Sequence, residues 1–528
     1  MGRRFWWVAG GGSVLVFAAA IVAAVALSSS DTGATGTPAA VTLPADPPHP
    51  GDPSVSVSVS RRPVGAPVRS GFLGFSFEFQ GVRAYTGSDP AHINPVLVRL
   101  IRNLTPGQAP VLRIGGNSTD VSYVTGRGIK PLPYRGYRLS PSWMATTGAL
   151  ARQLGAHMIM GVNLAANDPA LAAAEVDDYV KALPRGSIDA VEIGNEPNVY
   201  NKITTYHTAA GAPFHARPRS FGYPAFRAQF GAIAARMHPF TLAGPALAIG
   251  PVPGRGSWVN TVGDLLHRQP RISMMTVHRY PLRNCYVPPR SPQYPTIAHL
   301  LDSYATVTLA GSLKRWIAIA HGLHRRLRLD ELNSVACRGK AGVSDSFASA
   351  LWATDALFGL ARAGVDGVDM HTLPDTAYQL FAFSHRGGHW QAQVRPVYYG
   401  LQLFAQAAPP GARLLRVSRR GADAGLSVWA TRGRDHRLRV VVINKSQTRR
   451  KTVTVRLPAG TPTAGATVER MRAPSARATA GVTLGGRSYG AETQTGQLAA
   501  PEVERAHVVR GRVTLSVPAA SAALATVG

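Results

Sequence analysis

Between Phe72 and Gln406 short apolar runs alternate with longer stretches of helical period. The runs cover 72–79, 110–114, 157–164, 190–194, 241–244, 273–277, 327–329 and 365–370. Eight such runs separated by helical patterns predict a parallel sheet, either closed into a barrel or open and doubly wound. Several contain consecutive apolar residues, as strands covered on both faces do. The polar residues decide between the two. Run after run ends, on its C-terminal side, in groups that a core rejects: Glu78, Asn117, Asn163, Asn195-Glu196, His278 with Tyr280, Glu331, and His371. A barrel assembles its working face from those positions, so the expectation is an α/β fold with a (β/α)8 TIM barrel.

Beyond Gln406 the period shortens. Alternating segments at 414–417, 425–430, 438–443, 452–457, 467–471 and 513–517 are separated by turn residues, which predicts a C-terminal β-sandwich domain. Far upstream, Val55, Val57 and Val59 alternate with serines, the period of a half-buried strand that can pair into that sandwich. The predicted partition is a leader at 1–27, a disordered linker at 28–53, a sandwich-joining strand within 54–70, a catalytic barrel at 71–408 and the sandwich at 409–528. The linker follows from its Ser, Thr, Gly and Ala content and from Pro44, Pro47, Pro48 and Pro50. The leader opens with Arg3-Arg4, runs apolar from Phe5 to Leu27 and closes on Ala24-Val25-Ala26 near its end, the pattern of an export signal. The run is also long enough to span a bilayer, so a cleaved signal and an uncleaved membrane anchor both fit, and both place the body outside the cytoplasm, extracellular or on the cell surface.

The formal charge of +29 favours anionic partners. No recognition helix, zinc finger or RNA-binding signature accompanies it, so nucleic acid is not expected, and an acidic glycan remains open. Two cysteines, Cys285 and Cys337, are too few for a thiolate zinc site. His278 and His371 lie on separate strands without the paired spacing of a zinc helix, and neither a metal nor a cofactor is expected.

The chemistry concentrates in Val191-Glu192-Ile193-Gly194-Asn195-Glu196-Pro197-Asn198. An apolar strand delivers Asn195-Glu196 at its end, and Pro197 cannot continue the ladder, so Glu196 stands at the rim. Glycoside hydrolysis needs an acid for the leaving oxygen and a second carboxylate at the anomeric carbon. Glu331, at the end of the seventh run, fits the second role. Glu192 has the same parity as Glu196 on an ideal strand but lies deeper, where an ion pair suits it. Asp330, one residue before Glu331, is expected to face the helical shell.

These segments resemble glycoside hydrolase family 79, which holds microbial β-glucuronidases and the heparanases. The resemblance runs from Gly71 to about Ile443 and is carried by Phe75-Ser76-Phe77-Glu78-Phe79, Leu112-Arg113-Ile114-Gly115-Gly116-Asn117-Ser118-Thr119-Asp120, the Asn195-Glu196-Pro197 segment, Val277-His278-Arg279-Tyr280-Pro281, Glu331-Leu332-Asn333-Ser334, the Gly342-Val343-Ser344-Asp345 segment and Pro396-Val397-Tyr398-Tyr399-Gly400. It implies Glu196 as acid/base, Glu331 as nucleophile, Glu78 in the sugar subsite, and Asn195 and Tyr280 beside the reacting carbon. Asn117 joins them as a rim residue that binds substrate. The expected activity is a retaining β-glycosidase, a β-glucuronidase that cleaves terminal β-linked uronic acids from glycans. In relatives a loop after the nucleophile, with a Tyr and glycines, holds the uronate. Here it reads Val335-Ala336-Cys337-Arg338-Gly339-Lys340, with Ala336 in place of that Tyr, so Arg338, Gly339 and Lys340 are the candidate donors. A neutral-sugar exo-glycosidase of the same architecture and a non-catalytic acidic-polysaccharide binder are the competing readings. Cys285 follows Tyr280 and Cys337 follows Glu331, on adjacent loops of one rim, which predicts a disulfide.

Overall fold

A computed structural model of the chain describes residues 40–528 apart from short stretches at 45–46, 48, 127–128, 203–205, 209, 251–257, 421–422, 424 and 462–464. The leader at 1–27, whether signal or anchor, lies outside the described residues, as does the linker up to residue 39. Among the described residues no helix is long and apolar enough to cross a membrane.

Eight strands close into a barrel in simple chain order: Leu73–Glu78, Val111–Gly115, His157–Val162, Ile188–Ile193, Leu242–Ala248, Ile272–His278, Arg326–Leu332 and Gly367–Thr372. Every neighbouring pair is parallel, and the eighth strand returns to the first through Val368 opposite Leu73. Helices begin where the sequence supplies caps. Asp168 accepts from the Ala170 and Leu171 N–H groups and Pro169 occupies the first turn of helix Pro169–Ala182. Ser140 caps helix Pro141–Leu154 in the same way, through Trp143 N–H.

The barrel interior holds charged clusters beside an apolar layer of Val111, Ile159, Ala190, Ala243 and Met274. Near its N-terminal end the buried Arg328 and Asp369 pair, with the Arg328 Nε 2.7 Å from the carboxylate. Gly74 and Gly367 leave the room, since a Cβ at either would collide with that pair. Higher up, Arg113 fills the centre. An unpaired buried guanidinium is prohibitively costly. The sequence around it therefore has to deliver carboxylates from several strands, and it does.

The sandwich packs its apolar core from two layers. Strand Ser54–Pro63 buries Val55, Val57 and Val59 and exposes the alternating serines. It lies between Arg413–Arg419, antiparallel, and Lys451–Arg456, parallel. Strand Ser521–Val527 is central in the other layer, between Leu438–Asn444 and Ala466–Arg472. Residues 41–44 depart from the linker expectation: Val41–Pro44 pairs parallel with Glu502–Ala506 at the sheet edge. All four side chains are exposed, so main-chain bonds hold it and no burial pattern marks it. Helix Phe347–Ala363 joins barrel to sandwich. Its buried Asp355 accepts from Ser427, from the Trp429 indole at 2.8 Å and from Lys445 Nζ at 2.9 Å.

Candidate active site

Arg113 reaches the top of the barrel because nothing stands above it. A Cβ on Gly115 would sit 2.7 Å from the guanidinium carbon, so only glycine lets the side chain curl under the rim. From there it donates to Glu192 at 2.7 Å, Glu331 at 2.9 Å, Ser76 at 3.1 Å and the Asn195 side-chain oxygen at 3.0 Å. Glu192 is thus a deep ion-pair partner rather than a rim group.

Glu331 is the most heavily supported carboxylate. Its Oε1 accepts from the Tyr280 hydroxyl at 2.8 Å and its Oε2 from Arg113, while His278 and His371 stand 3.6 and 3.9 Å away. Burial by itself would raise its pKa. His371, His278, Arg113 and the Tyr280 hydrogen bond together outweigh that and hold it well below the usual carboxylate range. The group is ionised.

Glu196 faces it. Gly194 and Glu196 both have left-handed backbones, with φ of 77° and 49°, and Pro197 follows. A non-glycine residue there is strained by about 1–2 kcal/mol. The kink is fixed by the Glu196 N–H, which donates to the Ala246 carbonyl at 2.9 Å. His278 Nδ1 lies 3.1 Å from Glu196 Oε1. Burial would lower the His278 pKa, but Glu331 and Asp330 prevail and hold it well above its ordinary value, as an imidazolium. It gives one N–H to Glu196 and turns the other toward Asp330, 3.6 Å away. Arg113 Nη2, 3.2 Å from the same ring nitrogen, is a second donor whose charge Asp330 and Glu331 neutralise. One oxygen of Glu196, one of Glu331 and a His278 ring nitrogen fall within 4.8 Å of one another, a spacing that could hold a cation. Arg113 already donates to Glu331 there at 2.9 Å, so the chain itself supplies positive charge to that carboxylate.

Asp330 corrects the expectation. It does not face the helical shell; it is fully buried inside the barrel, 3.3 Å from Arg113 Nε. Asp330 lies two residues after the inward Arg328 and keeps its face, while an irregular register, with Leu329 opposite Val277 but Glu331 opposite His278, brings Glu331 to the same side. Glu192 lies against Asp330, and burial followed by that negative neighbour pushes the Glu192 pKa up against the pull of Arg113.

Glu78 accepts the backbone N–H groups of Asn117 at 3.0 Å and Ser118 at 2.7 Å, and the Ser118 hydroxyl. Gly116, with φ of 86°, is required there, because a Cβ would lie 2.4 Å from the Glu78 carboxyl carbon. Asn117 accepts from the Asn195 amide at 3.2 Å. His371 bridges this side to the centre, 3.0 Å from Ser76 and 3.8 Å from Glu78. Glu78, Asn117, Asn195, Glu196, Tyr280 and Glu331 therefore form one connected rim. Asn163 instead ties loops together through Ser122, Ala166 and Glu175.

Cys285 and Cys337 are joined by a disulfide, Cα to Cα 6.1 Å, beside the paired two-residue strands Leu282–Arg283 and Val335–Ala336. Cys337, Arg338 and Gly339 then turn left-handed in succession. Gly339 is buried, whereas Arg338 and Lys340 are exposed. Arg338 donates to the Asp375 carbonyl at 3.1 Å, and neither basic side chain joins the cluster around Glu331. Tyr378, buried nearby, stacks edge-on against His371 with ring centres 5.7 Å apart. Arg113, Asp330, His278 and Tyr378 are the members that sequence reasoning left without a functional role. An arginine inside the apolar run Val111-Leu112-Arg113-Ile114 was the available signal.

Residues 428–524 match the family model described as the glycosyl hydrolase family 79 C-terminal beta domain. The matched segment covers most of the carboxy-terminal sandwich. Solved structures extend the likeness over the whole fold. The 4-O-α-L-rhamnosyl-β-D-glucuronidase of Fusarium oxysporum 12S superposes with a TM-score of 0.69 at 18% identity, covering 89% of this chain and all of that one (100%). The family 51 arabinofuranosidase of Xanthomonas axonopodis pv. citri gives 0.63 at 14% identity, covering 90% of this chain and 100% of its own. The α-L-arabinofuranosidase of Thermotoga maritima gives 0.61 at 14%, covering 90% and 99%. At these identities the likeness is one of fold, a barrel followed by a sandwich. No curated protein matches the chain by sequence.

Proposed function

We propose that this protein is a retaining β-glycosidase that removes terminal β-linked glucuronic acid. The observation that carries the reading is the pairing of Glu331, held ionised by Arg113, His278, His371 and Tyr280, with Glu196 across His278, their nearest oxygens within 4.8 Å. Retaining glycosidases place their carboxyl groups about 5–5.5 Å apart and inverting ones leave room for a water between, roughly 6.5–9.5 Å. The closer spacing supports retention.

In the first step a Glu331 oxygen bonds to the anomeric carbon as the bond to the leaving oxygen breaks, and Glu196 gives that oxygen its proton. In the second, Glu196 takes a proton from water, whose oxygen displaces Glu331. Two inversions give net retention. Tyr280 and Arg113 hold the attacking carboxylate in one orientation, which is the entropic part of the catalysis.

The uronate specificity is supported by the family 79 module and by the glucuronidase with the same fold. Arg338 and Lys340 are exposed, so the backbone N–H groups of the turn at Cys337–Gly339 are the donors of that loop left for a sugar carboxylate. Action outside the cytoplasm is supported by the disulfide and by the Arg3-Arg4 leader pattern. Hydrolysis of aryl β-glycosides of glucuronic acid, glucose, galactose and arabinose, with proton NMR of the first sugar released, tests the reading. The glucuronide should be preferred and the β-anomer should appear first. Preference for the glucoside would refute the uronate, and an α-anomer would refute retention.

A further inference from the structure

Asp120 takes no part in the chemistry above, yet it is the acceptor around which the acid/base loop is built. It sits in the short turn Asn117–Val121 after the second barrel strand and is buried. One oxygen accepts the Leu164 and Ala165 N–H groups, each at 3.2 Å. The other accepts the Asn195 N–H at 3.0 Å and the hydroxyls of Tyr200 at 2.6 Å and Tyr206 at 3.4 Å. Burial pushes its pKa up to about 6 against the pull of Tyr200 and the backbone donors of Ala165, Asn195 and Leu164.

The Asn195 peptide is the unit from which Glu196 projects. Its side chain is already held by Arg113 and Asn117, and the next N–H by Ala246. The remaining donor is the Asn195 N–H, and Asp120 takes it. A Cβ on Gly194 would meet Leu164 at 2.6 Å and the Tyr200 hydroxyl at 2.9 Å, so the same cluster packs directly against the strand end that carries Glu196. We propose that Asp120 is a positioning residue for the proton-transferring carboxylate of Glu196, acting through the Asn195 peptide. This rests on Glu196 being the acid/base.

A misplacement of roughly 1 Å in a reacting group can cost about a hundredfold in rate. A displaced acid harms departure of a basic leaving group and spares one that leaves unprotonated. A residue that only tied loops together would slow both alike. The experiment measures kcat/KM for the 4-methylumbelliferyl and the 2,4-dinitrophenyl β-glycoside of the sugar that the wild-type protein cleaves, with Asp120→Asn and Tyr200→Phe. Asp120→Asn should lower the first at least about tenfold more than the second, a modest part of what acid catalysis supplies. Tyr200→Phe, which leaves the carboxylate and its backbone donors in place, should shift the same ratio in the same direction by about twofold or more. If Asp120→Asn does not fold, Tyr200→Phe decides alone. Equal losses on both substrates, or no change of the ratio, overturn the proposal. Glu196→Ala is run beside them: should it lack the leaving-group discrimination, the acid/base assignment fails instead.

Discussion

Arg113→Lys keeps the charge at the barrel centre and removes the fork. The guanidinium makes four hydrogen bonds, to Glu192, Ser76, Glu331 and Asn195. An ammonium has three donors on a single atom and cannot span acceptors set around a planar group. At least one of the four is lost, and with Glu192 and Glu331 among them a loss of about 1.5–3 kcal/mol per charge-assisted bond is expected. The consequence for catalysis has a definite sign. Glu331 lies below the usual range partly because of Arg113, so loosening that contact raises it. The acid limb of kcat/KM reports the ionisation of the nucleophile in the free enzyme and should move to higher pH by roughly one unit. Urea unfolding measures the first effect, and a pH–rate profile carried down far enough to include the wild-type acid limb measures the second. A variant with unchanged stability and an unmoved acid limb would refute the role given to Arg113.

Asp355→Ala should destabilise by about 3–5 kcal/mol, because Lys445 is left buried without its partner, and differential scanning calorimetry should show the barrel and sandwich transitions separating. Glu175, buried and pushed up to about 8 mainly by that burial, binds a proton in the folded state that the unfolded chain releases above its ordinary value of 4.5. Stability should consequently fall as pH rises from about 5 to 8, and Glu175→Gln should flatten that fall; a slope identical to wild type would contradict the burial argument. Replacing Cys285 and Cys337 together by Ala should cost about 2–4 kcal/mol, read from urea unfolding, with an unchanged midpoint as the contrary result.

The barrel was legible because its strands are short apolar runs and its working residues sit at their C-terminal ends, a placement with no structural motive. Glu196 and Glu331 stood out for the same reason. What escaped notice depends on tertiary context. Asp330 keeps the inward face of Arg328, and the register shift that brings Glu331 round to join it is announced by nothing in Leu329-Asp330-Glu331. His278 was legible as a rim group, but its place between Glu196, Glu331 and Asp330 depends on side chains that arrive from two other strands. The strand Ser521–Val527 is rich in alanine, a poor strand former, and is held by pairing on both sides. The edge strand Val41–Pro44 has four exposed side chains and only backbone pairing to declare it. Arg338 and Lys340 drew attention by their nearness in sequence to Glu331, but both side chains are exposed and Arg338 is bonded to the Asp375 carbonyl.

The central claim is that Glu331 attacks the anomeric carbon. Incubation with 2-deoxy-2-fluoro-β-glucuronyl fluoride, followed by proteolysis and mass spectrometry, tests it most directly, since the fluorine slows release of a covalent glycosyl-enzyme. The account predicts one equivalent of sugar on the peptide that contains Glu331, time-dependent loss of activity and no label in Glu331→Gln. Label on Glu196 or Asp330, or full inactivation without any covalent adduct, would contradict it.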